Sequence, residues 1–214
     1  MSQTIVIPFR GAWTAKSRLG PMLGDAMRAS LASSLYAHVL AEAIDAGVGP
    51  VLVVTPSSEA AVLAQRLGAD VLRETSGSLN AAVTMAARHL GGTQVERMAL
   101  IAADLPLLEA EDVAVLVASG GAGIAIAPDR AGSGTNAMSL PVAGGFTFHY
   151  GHRSLAAHRS QAARLGWPEL LLARAGLAGD LDTVDDLALL DDSFVRLKPD
   201  LRRAIARARG RTDV

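Results

Sequence analysis

The chain has no cysteine among its 214 residues. That excludes thiolate metal sites, disulfide staples and cysteine nucleophiles, and it fits a reducing compartment. Charge of either sign is not in excess either: 20 Lys and Arg stand against 21 Asp and Glu, a formal net charge of −1. No global field draws such a chain to nucleic acid or to an anionic membrane. No apolar run reaches the ~18 residues of a membrane span, and the amino terminus lacks a charged segment followed by a long apolar one. A cytoplasmic protein is therefore expected, with neither nucleic acid nor membrane as partner. The Walker signature G-x-x-x-x-G-K-[ST] is missing throughout, although local phosphate binding by other means stays open. Apolar residues make up 50% of the chain, ample for the core of one domain.

The most informative stretch is 98–108. Six small or branched apolar residues between Arg97 and Asp104 predict a strand buried on both faces of a largely parallel sheet. Asp104 then falls at the carboxyl end of that strand, where open α/β sheets bind ligands. Two readings stand: it holds a divalent cation against phosphate oxygens, or it caps the following turn. Earlier, a short apolar strand at 4–8 leads into 9–20, which combines Arg10, Lys16 and Arg18 with Gly11, Ser17 and Gly20. That is a phosphate-loop composition, because glycine lets backbone N–H groups approach an anion that the cations neutralise. Read as a structural segment, the Lys-x-Arg pair is only solvated surface.

Periodicity supplies the frame between these points. Asp25 as N-cap opens a helix in which Met27, Leu31, Leu35, Val39, Ala43 and Ile44 recur until Gly47. His38 beside that stripe reads as structural. A strand at 51–55, a helix at 58–67 and a strand at 70–73 continue a βαβαβ alternation, hence parallel strands joined by right-handed crossovers. Ser78 is the N-cap of a helix carrying Leu79, Val83, Ala86 and Leu90. Glu74 and Asn80 flank that start, either as ordinary first-turn polar residues or as readers of a guanine edge. A helix at 109–118 precedes strands at 123–127 and 138–142. The turn between those strands carries Arg130, Gly132, Gly134, Thr135 and Asn136, a hairpin connection or an anion-binding nest. A helix opening at Ser154 presents a hydroxyl and free N–H groups suited to phosphate or carboxylate. After a strand candidate at 169–173, Thr183 with Asp186 approximates a capping box, whereas Asp180 and Asp182, two apart in an extended segment, project to one side as a second metal-holding arm would. Seven Lys or Arg occupy the last nineteen residues. With no apolar seam evident among them, 194–214 is expected to be a basic, solvated helix and frayed tail.

Taken as an ordered set, several motifs resemble one family. They are Ala15-Lys16-Ser17-Arg18-Leu19, Ser78-Leu79-Asn80, Ala103-Asp104-Leu105-Pro106, Gly134-Thr135-Asn136, Tyr150-Gly151-x-x-Ser154-x-x-x-His158 and Asp180-Leu181-Asp182-Thr183. The set is similar to the 2-phospho-L-lactate / phosphoenolpyruvate guanylyltransferases of coenzyme F-420 biosynthesis, within the nucleotide-diphospho-sugar transferase-like superfamily. Arg153 stands where that pattern has glycine, and Val184 where it has proline.

The resemblance implies one α/β nucleotidyltransferase domain over 1–214. Its fold is expected to be a three-layer α/β/α sandwich of Rossmann-like type with a mostly parallel central sheet. It further implies guanylyl transfer from GTP to a small phosphorylated three-carbon acid with release of pyrophosphate. Mg²⁺ would be held by Asp104, Asp180 and Asp182, and the triphosphate by Lys16 and Arg18, with Asp104, Lys16 and Arg18 as the catalytic set. Glu74 and Asn80 would hold the nucleoside; Thr135, Gly151 and Ser154 would hold the acceptor. Alternatives are a molybdenum-cofactor or sugar-phosphate nucleotidyltransferase, or a nucleotide-binding domain without chemistry. Oligomeric state is not legible, and a homodimer is one arrangement the reading allows.

Overall fold

A computed structural model describes residues 2–11, 19, 23–75, 77–189, 199–208 and 210. The chain runs β1 (Gln3–Pro8), α1 (Asp25–Asp45), β2 (Val51–Thr55), α2 (Ser58–Arg66), β3 (Asp70–Arg73), α3 (Leu79–Gly91), β4 (Arg97–Ile101) and α4 (Ala110–Ala118). It continues through β5 (Ile124–Pro128), β6 (Thr135–Pro141), α5 (Ser154–Arg164), β7 (Glu169–Leu171), α6 (Ala175–Ala178), α7 (Val184–Leu189) and α8 (Pro199–Ala208). The strands form one sheet in the order β3-β2-β1-β4-β6-β5-β7. Only β6 runs against the others, pairing antiparallel with both β4 and β5. The fold is the expected α/β sandwich. None of its described helices is long and apolar enough to cross a membrane.

Alternation within doubly buried strands divides the core into two apolar layers. Ile5, Ile7, Val51, Val53, Ala99 and Ile101 face α1, α2 and α4, while Val6, Leu52, Val54, Met98 and Leu100 face α3 and α5. Helix starts follow local chemistry. Ser57 and Ser78 each accept a backbone N–H from the first turn of α2 and α3, and Glu109 with Asp112 forms a reciprocal capping box on α4. At α1 the N-cap is Gly24, which makes no side-chain cap; Asp25 lies one residue inside, where its charge still complements the helix dipole. His38 is buried on α1 near Glu42, in the structural role expected of it.

The C-terminal helix corrects the expectation of a solvated tail, so far as the described residues reach. Ala204, Ile205 and Ala208 of α8 are buried with Leu31 and Leu35 of α1, so part of the apolar stripe of α1 packs against α8 and not against the sheet. A seam built from alanine and one isoleucine is short of apolar volume and hides among arginines; small side chains let two helices approach closely enough to compensate. Arg203 and Arg207 remain exposed on the opposite side. Ile205 is 0% exposed. Its replacement by alanine should cost about 2–5 kcal/mol in urea denaturation, and a loss within the ~0.5 kcal/mol usual for surface positions would mean that α8 does not hold α1.

Candidate active site

After β3 the chain returns to the far side of β1 to form β4. The crevice at the carboxyl ends of β1 and β4 is therefore the topological switch point of the sheet, where neighbouring loops diverge and leave room for a ligand. A cavity of about 310 Å³ opens there. Its walls are Pro8 to Gly11 after β1, Ala102 to Asp104 after β4, Thr135 and Asn136 at the start of β6, Leu79, Tyr150 and Asp182. Antiparallel β6 matters to this layout: running backwards, it brings its first residues, Thr135 and Asn136, to the edge where its neighbours end.

Asp104 lies three residues beyond β4, and the segment after α6 is fastened to it through the main chain. The Leu181 N–H donates to the Asp104 carbonyl at 3.1 Å. Asn136 completes the junction: its Nδ2 lies 3.1 Å from the carbonyl oxygens of Leu177 and Ala178 and 3.3 Å from Asp180 Oδ1. Burial raises the Asp180 pKa and the nearby Asp104 charge raises it further; the Asn136 bond works in the opposite direction, and Asp182 adds a smaller upward push. Asp104, Asp180 and Asp182 therefore share one field. Their orientations differ from the expectation, however. Asp182 lines the switch-point cavity, whereas Asp180 lines another with Arg130 and Asp186, its carboxylate reached by the Asn136 amide. Among the described residues no three acidic or histidine side chains are gathered closely enough to cage a metal.

Thr183 and Asp186 are structural. Asp186 accepts from the N–H groups of Asp182 and Thr183 and from the Thr183 hydroxyl, and Arg130 pairs with its other oxygen at 2.8 Å. Arg130, read from sequence as part of an anion nest, thus braces the acidic segment. The nest itself is a hairpin connection, closed by Asp129 accepting from the Ser133 N–H at 2.7 Å.

The expected nucleoside readers are placed otherwise. Glu74 is 2% exposed and is not part of the cavity lining. Both ends of the Asn80 amide engage the main chain of Tyr150: Nδ2 donates to its carbonyl at 3.0 Å and Oδ1 accepts from its N–H at 2.7 Å. In place of a purine edge, Asn80 latches the 149–153 loop to the start of α3. Lys16 and Arg18 lie outside the described residues.

On the acceptor side, Thr135 is buried with its hydroxyl 3.0 Å from His158 Nδ1. Gly151 adopts φ +131°, a conformation that admits glycine alone without strain. Ser154 is buried at the first turn of α5, its N–H donating to the Gly151 carbonyl. Arg153 occupies the left-handed region, φ 56°, the only such non-glycine among the described residues. The position that the resembled pattern fills with glycine keeps a glycine-like backbone here, so the substitution leaves the loop path intact at some cost in strain. Two residues stand out that sequence reading had not placed: Asn136 as a clasp and Tyr150 as the latched wall. Both are neutral side chains whose roles depend on partners 40 to 70 positions away in sequence.

Burial, and secondarily the neighbouring His149, lowers the His158 pKa from 6.5 to about 4. Protonation then favours the unfolded chain between those values. Stability from this group is whole above pH 6.5, declines as pH falls, and is lost by pH 4, a change on the order of 3 kcal/mol. Urea midpoints measured across that window should fall with acidity in the native protein and fall less in His158→Gln.

Comparison with known proteins agrees with this fold. Residues 3–190 match the family model described as "Guanylyl transferase CofC like". A phosphoenolpyruvate guanylyltransferase of Rubrobacter xylanophilus is 37% identical over 195 residues, covering 90% of this chain and 95% of the relative. A 3-phospho-D-glycerate guanylyltransferase of Phenylobacterium zucineum is 34% identical over 187 residues, covering 85% and 86%. Among solved structures, a Desulfovibrio desulfuricans protein assigned as a nucleotide-diphospho-sugar transferase superposes with a TM-score of 0.72 at 19% identity over the whole of both chains. A nucleotidyl transferase from Methanothermobacter does so at 0.62 and 14%, over 91% of this chain and 98% of the other. The likeness to these two concerns the fold. The sequence matches go further: this chain belongs to the CofC-like guanylyl transferase family and is a nucleotidyltransferase.

Proposed function

We propose that the protein joins GMP from GTP to the phosphate of phosphoenolpyruvate in coenzyme F-420 biosynthesis, within the cytoplasm. The observation that carries this is the meeting of Asp104 and Asp182 on one cavity wall at the β1/β4 switch point, in a chain 37% identical to a phosphoenolpyruvate guanylyltransferase. An acceptor phosphate oxygen attacks the α-phosphorus of GTP. The bond from the α-phosphorus to the bridging oxygen breaks, and pyrophosphate leaves with that electron pair. The attacking oxygen is already anionic near neutral pH, so the step needs no general base. Catalysis is then alignment and charge neutralisation.

The donor set fits Mg²⁺, which usually takes one or two carboxylates and completes its shell with water and phosphate oxygens, so a three-carboxylate cage is not required. Asp104 and Asp182 would hold it, with Asp180 adding negative potential from behind. Bound there, the ion would offset the repulsion between two polyanionic substrates. Lys16 and Arg18 would take the β- and γ-phosphates, and Thr135, Gly151 and Ser154 the acceptor. With the Asn80 amide engaged by Tyr150 and Glu74 enclosed, we assign the guanosine to the cavity wall that includes Leu79.

Asp104→Asn is expected to lower turnover at least ~10²-fold, the scale of losing a few kcal/mol of charge stabilisation. Pyrophosphate release should be followed with GTP, CTP and ATP, each against phosphoenolpyruvate, 2-phospholactate and 3-phosphoglycerate, with product masses recorded. Turnover confined to GTP with phosphoenolpyruvate supports the proposal. Preference for 3-phosphoglycerate would move this chain beside its Phenylobacterium relative, and release from CTP alone would refute guanylyl transfer.

A further inference from the structure

His158 lies on α5 and is 0% exposed, with both ring nitrogens engaged. Nε2 receives the backbone N–H of His149 at 2.9 Å. An amide nitrogen of the main chain can only donate, so Nε2 must present a lone pair. A neutral imidazole in that state carries its proton on Nδ1. The 3.0 Å contact between Nδ1 and Thr135 Oγ1 is therefore an N–H donated by the ring to the hydroxyl oxygen. This fixes the sense of the threonine. Its own proton cannot point at His158, no acceptor among the described residues takes it, and Thr135 lines the cavity.

We infer that His158 is a positioning residue which, by holding the Nδ1–H tautomer, makes the Thr135 hydroxyl a donor into the cavity, aimed at an anionic oxygen of the acceptor acid. The inference rests on the reading of Thr135 as an acceptor-site group. The ring is locked from several sides: His149 fixes Nε2, and the edge of Tyr150 packs at a centroid distance of 4.9 Å. Burial keeps it uncharged at neutral pH, with a pKa lowered to about 4. The alternative tautomer would set two donors against each other at His149 and leave the threonine donating to the ring, turned from the cavity. A hydroxyl restrained in this way needs no reorientation when a carboxylate or phosphate arrives, which is the advantage of a preorganised dipole.

The direct test is the ring-nitrogen spectrum of the ¹⁵N-labelled native protein at neutral pH, with the His158 signals assigned by their absence in His158→Gln. A protonated Nδ1 and an unprotonated Nε2 are expected; the reverse would overturn the inference whatever the kinetics of the variants. Kinetics test the consequence. His158→Gln can keep an acceptor for the His149 N–H but places no donor at the Nδ1 position that faces Thr135. His158→Asn places a carboxamide donor where Nδ1 stood. The first should raise KM for phosphoenolpyruvate about tenfold with KM for GTP unchanged, the scale of one hydrogen bond to a charged group, and the second should recover most of that loss. Thr135→Val should raise the same KM, and adding His158→Gln to it should have little further effect. Independent, multiplying effects, or parallel loss toward both substrates, would overturn the positioning role. If Thr135→Val raises KM for phosphoenolpyruvate and His158→Gln does not, this inference fails alone. If Thr135→Val leaves that KM unchanged, the acceptor-site reading fails with it.

Discussion

The site depends on one junction, the docking of the segment after α6 onto the end of β4. Two elements make it: the Leu181 N–H on the Asp104 carbonyl, and the Asn136 amide shared among Leu177, Ala178 and Asp180. These bonds join the loop that carries Asp104 to the segment that carries Asp182. The Asn136 side chain is buried, and an amide left without acceptors in such a place costs about 1–3 kcal/mol. Its position between backbone carbonyls and a carboxylate removes that cost and fixes the carboxylate. The junction also explains why a single antiparallel strand interrupts the sheet. Had β6 run parallel to β4, its amino-terminal end would lie at the opposite edge, and no residue at position 136 could reach the acidic segment.

Held this way, the acidic groups repel one another in the free protein. The raised pKa of Asp180 carries that signature, its second cause being the charge of Asp104. Arg130 relieves part of the field, but it does so indirectly, through Asp186, whose two oxygens serve the Asp182–Thr183 turn and the guanidinium. Arg130 lines the cavity of Asp180 and Asp186, whereas Asp104 and Asp182 line the switch-point cavity together with Arg10. A pocket arranged like this suits a polyphosphate that brings a cation, the carboxylates facing the metal and Arg10 standing among the groups open to the phosphates.

Much of this was legible in the sequence, and the parts that were not share a cause. Alternation and apolar runs located all seven strands, because strand burial writes itself into neighbouring positions. Asp104 stood out because a carboxylate ending an apolar strand falls at the crevice where such sheets bind ligands, and it does line the cavity there. Asn136 and Asn80 were harder to read for the complementary reason: an amide has both a donor and an acceptor, so its residue type cannot tell a ligand contact from a main-chain latch 40 to 70 positions away. The docked face of α8 was overlooked because alanine contributes little to an apolar pattern, yet burial of Ala204 and Ala208 with Ile205 needs only closeness. Asp180 lines a different cavity from Asp182 because side chains two apart share a side only where the backbone is a regular strand, and 180–182 is not one.

The acceptor side of the cavity shows how main-chain conformation can be held against local preference. The 149–153 loop carries Gly151 at φ +131° and Arg153 at φ 56°, and for an L-residue the left-handed region costs about 1–2 kcal/mol. That cost is offset by what closes the loop at either end. Asn80 grips both polar groups of Tyr150, and His158 receives the N–H of His149. Immediately after the strained residue, Ser154 begins α5 with its N–H on Gly151 and Leu155 follows with its N–H on Ser133. His149, Tyr150, Gly151, Arg153, Ser154 and Leu155 each make a main-chain hydrogen bond of this kind, Arg153 accepting the Ala157 N–H with its carbonyl. The left-handed turn is the one path joining these ties, which is why an arginine can stand there without redirecting the loop.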